Sequence, residues 1–282
     1  MTNAPPRLFD THAQALYRAR AARMAGDRFL LQEALEGVAA RLAPVNRHFK
    51  AGIAVDGRAG GFLKDTAALW HVASFDDGER LDAGDGGYDL AVSVLSLHGM
   101  NDLPGALVQI RRALKPDGLF VAALFGGATL TELRDAFAAG ELETLGGISP
   151  RVAPFADVRE LGALLQRTGF ALPVADVERT TVLYRDFGTL VRDLRLLGEG
   201  NALAERRRTL SRRTLHAALA HYAAKHAEPD GRLRATFDIV YLTGWVPHES
   251  QQQPLRPGSA KARMAEALGT IEHKAGDKAK PR

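Results

Sequence analysis

Apolar positions along this chain fall into two alternating rhythms. From Leu8 to Ala43 they recur at three- and four-residue steps. Leu30, Leu31, Ala34, Leu35, Val38 and Leu42 mark one buried helical face. This predicts helix over residues 8–43, broken near Gly26-Asp27 and ended by Pro44. The rhythm then changes. AGIAVDGRAGGF (51–62) is a short apolar strand running into a glycine-rich turn, and LWHVASFDD (69–77) is a second short strand ending in acids. YDLAVSVLSL (88–97) and LFVAAL (119–124) are near-continuous apolar runs, as expected of strands covered on both faces of a parallel sheet. Between them DLPGALVQIRRALKPDG (102–118) reads as a helix closed by Pro116 and Gly118.

Strand, helix, strand in that order predicts an α/β protein with a doubly wound, mostly parallel sheet. Further on, the pattern predicts a helix over 130–140 opened by a Thr129–Glu132 capping box, and a helix over 156–168. A strand over 173–183 comes next, then helices over about 186–198 and 209–227, and a last strand over 235–246. From Asp77 to Tyr88 there is no room for another helix and strand, since a crossover takes about a dozen residues or more. The organisation expected is an N-terminal helical segment (1–50), a main domain (51–250) with a helical insertion at about 186–228, and a partly disordered tail (251–282).

Composition removes several chemistries. The 282 residues contain no cysteine, which excludes disulfides, thiolate metal sites, iron–sulfur clusters and cysteine nucleophiles. No window approaches the roughly 18 uninterrupted apolar residues of a membrane span. The net charge of +4 is mild and comes without a recognised nucleic-acid motif, so no nucleic-acid partner is expected. RRRTLSRR (206–213) reads as a solvated helix face. The N-terminus is Arg-rich, but Asp10 and Asp27 argue against a transit peptide, and the expected address is cytoplasmic. His216, His221 and His226 step by five, which spreads them around a helix, and no metal site can be read from spacing.

The chemistry that remains sits at strand ends. A strand ending in Asp56-Gly57-x-x-Gly60-Gly61 and opening a helix is a nucleotide-type site, because glycines admit a ligand close to the backbone and a helix start offers free N–H groups. An acid at the end of the next strand binds ribose hydroxyls, and Asp76 lies 19 residues past Gly57. His98 follows the third strand, at the edge of the sheet where such folds bind ligands. Asn101 and Asp102 suit the cap of the helix that follows.

LFDTHAQALYRARA, YDLAVSVLSLHGMNDLPGALVQIRRALKPDGLFVAALFGGATLTELRDAF, GGISPRVAPFADVRELGALLQRTGF and ATFDIVYLTGWVPHESQQQPLRPGSAK carry a resemblance that runs from Leu8 to about Leu268. They resemble one branch of the class I S-adenosylmethionine-dependent methyltransferases. That branch holds bacterial relatives of the mitochondrial complex I assembly factor that hydroxylates an arginine. More distantly, the chain is similar to the malonyl-acyl-carrier-protein methyltransferase of biotin synthesis. The resemblance implies a Rossmann-like sheet with strand 235–246 antiparallel beside strand 173–183, and against that family's usual sheet the short Asp77–Tyr88 span leaves one αβ unit missing. The cofactor it implies is S-adenosylmethionine, held by Asp56, Gly57, Gly60 and either Asp76 or Asp77, with His98 lining the cleft. It also implies a protein partner: a complex I subunit, or an acyl-carrier protein for a carboxyl methyltransferase.

Two departures from that family matter. Its first motif is an acid and three alternating glycines, whereas here Gly57-Arg58-Ala59-Gly60-Gly61 follows Asp56, as if two residues were deleted. Arg58 either blocks the pocket or swings out to solvent, and its charge opposes a sulfonium. Cofactor binding is therefore expected to be weak, and a non-catalytic scaffold is a further alternative. In addition, Gly99 stands where relatives carry a bulky aromatic residue.

Overall fold

The computed structural model describes residues 7–59, 61–205, 209–252 and 269. Gly60, Arg206 to Arg208 and nearly all of the predicted tail lie outside the described residues. Residues Met1–His248 make one compact unit, and Glu249–Arg282 a second.

The N-terminal helix breaks as the sequence predicts, into α1 (Thr11–Ala22) and α2 (Phe29–Leu42). Asp10 caps α1 by accepting from the Ala13 amide, and α2 buries Leu30, Ala34, Leu35, Val38 and Leu42. Six strands follow: β1 (Phe49–Val55), β2 (Ala67–Ala73), β3 (Tyr88–Val94), β4 (Leu114–Phe125), β5 (Ala171–Tyr184) and β6 (Leu233–Trp245). The sheet order is β2-β1-β3-β4-β6-β5. β1 to β4 pair in parallel, while β6 runs antiparallel to both neighbours, inserted between β4 and β5. The remaining helices are α3 (Leu103–Ala113), α4 (Thr131–Leu145), α5 (Val158–Arg167), α6 (Phe187–Leu197) and α7 (Arg212–His226).

Period-2 alternation along the central strands builds two cores. Leu119, Val121, Ala123 and Phe125 of β4 face the side covered by α2, α4 and α7, whereas Phe120, Ala122 and Leu124 face the side covered by α3 and α5. Asp89, buried at the start of β3, accepts from the Lys50 and Ala51 amides, so its burial is satisfied. Gly52 of β1 leaves room for the Trp70 ring of β2, which a Cβ would meet at 2.9 Å.

Between residues 57 and 88 β2 is the sole strand among the described residues, as the short spacing requires. It lies directly beside β1, the position of a ribose-binding second strand.

Three local expectations fail. No helix follows the glycine turn: residues 61–66 are turns and a bend. The helix expected over 102–118 ends at Ala113, because Leu114 already pairs with Tyr88 in the sheet. Thr129 and Glu132 do not form a capping box. Thr129 Oγ1 donates to the Asp238 carbonyl at 3.1 Å and accepts from its amide at 3.1 Å, and Glu132 accepts from the Thr236 amide at 3.0 Å and from its hydroxyl at 2.5 Å. Both residues stitch α4 to β6 instead of closing their own helix.

One close approach gives a stability prediction. Gly37 of α2 lies against Tyr241 of β6, whose ring is covered on another side by the Arg41 guanidinium at 3.5 Å. A Cβ at residue 37 overlaps the Tyr241 hydroxyl. Gly37→Ala is expected to destabilise the protein by about 2 kcal/mol despite the better helix propensity of alanine, because overpacking a filled core typically costs ~1–3 kcal/mol. Urea unfolding reads this directly.

Candidate functional site

The parallel strands β1 and β3 end on one edge of the sheet, where open α/β sheets bind ligands. β1 enters a tight turn there. Asp56 (φ 60°) and Gly57 (φ 71°) are both left-handed, a conformation aspartate tolerates at a cost of roughly 1–2 kcal/mol. The turn uses its own donors. The Asp56 amide donates to the Ala73 carbonyl of β2 at 2.7 Å, and the Gly57 amide to the Ala54 carbonyl at 3.4 Å. With no helix behind the turn, the helix-start amides that hold an anionic ligand in such sites are missing here.

Arg58 neither swings to solvent nor stands alone in the cleft. Its Nη2 donates to the Leu197 carbonyl at the end of α6 at 3.1 Å and lies 3.7 Å from Glu199 Oε1. Glu199 Oε2 pairs at 3.1 Å with His98 Nε2, on the short 3-10 turn Leu97–Gly99 that follows β3. Asp56 is itself paired, at 3.2 Å, with Arg18 of α1, whose other nitrogen donates to the Ser96 carbonyl at 3.3 Å. The side chains of Arg58 and Glu199 keep only 13% and 21% of their surface exposed. Burial pulls the Arg58 guanidinium below its ordinary pKa, with Glu199 opposing. Burial pushes Glu199 up, but His98, Arg58 and Arg18 outweigh it and hold the carboxyl below the usual range.

His98 packs against the rings of Phe125 and Phe155, with centroids at 5.1 and 5.6 Å, in a three-ring cluster. Together with Phe9, Glu199 and Arg151 these rings line a cavity of about 130 Å³. That is below the roughly 300–1,000 Å³ of ordinary small-molecule sites. The space beside Gly99 is taken by Gln14 of α1, whose Nε2 donates to the Gly99 carbonyl at 2.9 Å. A Cβ on residue 99 would meet that nitrogen at 2.5 Å, so the small residue here is matched by a side chain from the N-terminal helix.

The two acids after β2 separate in role. Asp76 Oδ1 accepts from the Gly78 and Arg80 amides at 2.9 and 2.8 Å, closing its own turn. Asp77 is exposed, and its backbone carbonyl accepts from Arg7. The carboxylate that reaches across to the β3 edge is Glu79, which accepts from the Asn101 amide and Nδ2 and the Asp102 amide. Asp102 caps α3 through the Gly105 amide, and Asn101 pins the Phe9 backbone through both of its side-chain atoms.

The structure places Asp56, Gly57 and His98 at one strand-end edge, and brings to them Arg18, Glu199, Gln14 and Glu79, which sequence reasoning did not single out. No spacing rule could link Glu199 to His98 from 101 residues away. Nor did spacing reveal that His221 and His226 of α7 both reach Asp135 of α4, with Nε2 at 2.9 and 2.8 Å from the same Oδ2.

The residues at the β1 end do not fit S-adenosylmethionine as they stand. The Arg58 guanidinium is drawn into the Glu199 contact, and the acid of the loop is paired with Arg18.

The comparisons agree with the architecture. A methyltransferase-domain family matches residues 62–122, starting just past the glycine turn. The fold resembles the YcgJ protein from Bacillus subtilis, with TM-score 0.51 at 9% identity over 76% of this chain and 99% of that one. It also resembles a putative methyltransferase from Bacillus halodurans, with TM-score 0.50 at 11% identity over 76% and 99%. In sequence the chain is 44% identical over 202 residues to human "Arginine-hydroxylase NDUFAF5, mitochondrial", which covers 72% of this chain and 58% of that protein. It is 46% identical over 183 residues to the Dictyostelium discoideum protein of the same name, 64% of this chain and 42% of that one. A malonyl-[acyl-carrier protein] O-methyltransferase from Xylella fastidiosa is 35% identical over 173 residues, 61% of this chain and 57% of that protein. The chain thus spans about half the length of the curated relatives it matches. The NDUFAF5 relatives are mitochondrial proteins by name, which overturns the cytoplasmic address expected from the N-terminal composition. The six-stranded, mostly parallel sheet thus has a methyltransferase fold, and in sequence the chain is similar to arginine-hydroxylase NDUFAF5 proteins and, at lower identity, to malonyl-[acyl-carrier protein] O-methyltransferases.

Proposed function

We propose that this protein is an S-adenosylmethionine-dependent, methyltransferase-like protein that acts with a protein partner in the assembly of respiratory complex I, and that it holds its cofactor weakly. The partner class is taken from the NDUFAF5 relatives. The weak binding rests on one observation, the Arg58–Glu199–His98 contact at the end of β1. When bound, S-adenosylmethionine supplies an activated methyl group, so such a site needs alignment more than acid–base chemistry. In this reading Asp56, Gly57 and Gly60 take the methionyl end once Arg18 and Arg58 give way. Asp77 is the better-placed ribose or adenine acid, since Asp76 is committed to its turn. His98 is a wall residue that orients what enters the cavity.

A second reading, carboxyl methylation of an acyl-carrier-protein substrate, is favoured by the malonyl-acyl-carrier-protein relatives. A third, a scaffold without chemistry, draws on the same Arg58 contact. Affinity capture with the full chain separates the first two. Recovery of a complex I subunit or assembly intermediate is the expected result. Recovery of acyl-carrier protein, with carboxyl methylation in vitro, puts the second reading first.

A further inference from the structure

We propose that Asp135, His221 and His226 form a binding site for one divalent first-row transition-metal ion, which clips α4 to α7. The three donors come from two helices, and their ligand atoms all lie within 4.8 Å of one another. Asp135 Oδ2 is 2.9 Å from His221 Nε2 and 2.8 Å from His226 Nε2. A tetrahedral ion with bonds of about 2.0–2.1 Å sets its donors roughly 3.3 Å apart, so the Asp135 contacts need to open by only about half an ångström. Two imidazoles and one carboxylate suit zinc and its neighbours, and three protein donors leave a fourth position for water. None of the three residues lines the cavity beside His98.

The donors are held by packing that does not depend on them. The helices run antiparallel along a short ladder. Thr144 Oγ1 and Thr214 Oγ1 meet at 2.9 Å at one end, and Gly140 passes so close to Ala218 that a Cβ would lie 2.6 Å from its amide. Asp135 and the two histidines close the other end. Tyr222, buried between the histidines in sequence, donates to the Arg234 carbonyl at 2.7 Å and sets its ring edge against His226 at 5.9 Å. That anchor fixes α7 against β6 and limits the freedom of the His226 ring. The cluster is also open to solvent, with 54% of the Asp135 side chain exposed, so an ion has a path in.

A carboxylate bridging two imidazoles without any metal is the competing account, and the test separates the two. Untagged full-length protein, stripped with chelator, is titrated with Zn²⁺ by calorimetry at pH 7.5, and its melting temperature is followed in parallel. The expected result is one equivalent bound at micromolar or tighter Kd, with a rise in melting temperature. His221→Ala, His226→Ala and Asp135→Asn should each weaken that binding at least thirtyfold and abolish the rise. Because the chain has nine histidines, weak additional binding that survives all three variants does not count as this site. Asp135→Asn keeps the size of an exposed side chain, so it remains informative if a histidine variant misfolds. Co²⁺ in place of Zn²⁺ should give the visible absorption of a tetrahedral centre in the natural protein and not in Asp135→Asn. Absence of a one-equivalent site, or one that all three variants leave unchanged, overturns the proposal.

Discussion

Replacing the Asp56–Gly61 turn with a longer loop of an acid and three alternating glycines, as in the methyltransferases this chain resembles, should raise S-adenosylmethionine affinity at least tenfold. The gain has a local cause. In the natural turn the Asp56 and Gly57 amides are spent on Ala73 and Ala54, and the Arg58 guanidinium is locked to Leu197 and Glu199. A ligand has to break that contact before it can settle, whereas a glycine loop offers free amides and no cation beside the sulfonium. Tenfold corresponds to about 1.4 kcal/mol, less than the usual cost of separating a mostly buried charge pair. Arg58→Gly alone should recover part of the gain, since it removes the cation but leaves the turn short. Calorimetric titration of the grafted and single variants checks both. An unchanged affinity in the graft would place the obstacle elsewhere.

Glu199→Ala should cost about 2–3 kcal/mol of stability, a fall in melting temperature of roughly 3–5 °C for a chain of this size. Removing one member of a fully buried ion pair typically costs ~3–5 kcal/mol, and the 21% exposure of Glu199 places this case below that range. The loss arises because Arg58 stays buried with no countercharge, and its Nη1 already has no partner among the described residues. Arg58→Ala in the same background should therefore restore part of the loss, a coupling that a double-mutant cycle measures. The effect also depends on pH. The Glu199 carboxyl is held below its unfolded value of 4.5, so its contribution is complete above that pH and is lost as pH falls through the folded value. The stability difference between the natural protein and Glu199→Ala should accordingly shrink on acidification below about pH 4.5.

Much of the architecture was legible because it follows from local rhythm. The apolar runs at Leu90–Val94 and Leu119–Phe125 can only be strands covered on both faces, and the short Asp77–Tyr88 span leaves no space for another αβ unit. The break between α1 and α2 at Gly26-Asp27 was equally local. What escaped is what long-range partners decide. Thr129 and Glu132 match a capping box in sequence, yet the unpaired polar atoms of β6 lie closer in space and capture both. Asp76 has the position of a ribose acid, but the tight turn to Arg80 takes its carboxylate first. The shortening at Arg58 was visible as a defect, while its destination depended on Glu199, beyond α6 and 141 residues later. His221 and His226 look unrelated on a helical wheel, and it is Asp135 on a second helix that joins them.

On the proposed function, the Arg58–Glu199–His98 contact stands where S-adenosylmethionine has to enter. Calorimetric titration of S-adenosylmethionine and S-adenosylhomocysteine into the natural protein tests it most directly. The expected dissociation constant is about 0.2 mM or weaker, as a loss of ~3 kcal/mol makes of a micromolar site. Low-micromolar binding by the natural protein, lost on Arg58→Gly, would contradict it and make Arg58 a ligand of the cofactor carboxylate instead of an obstacle.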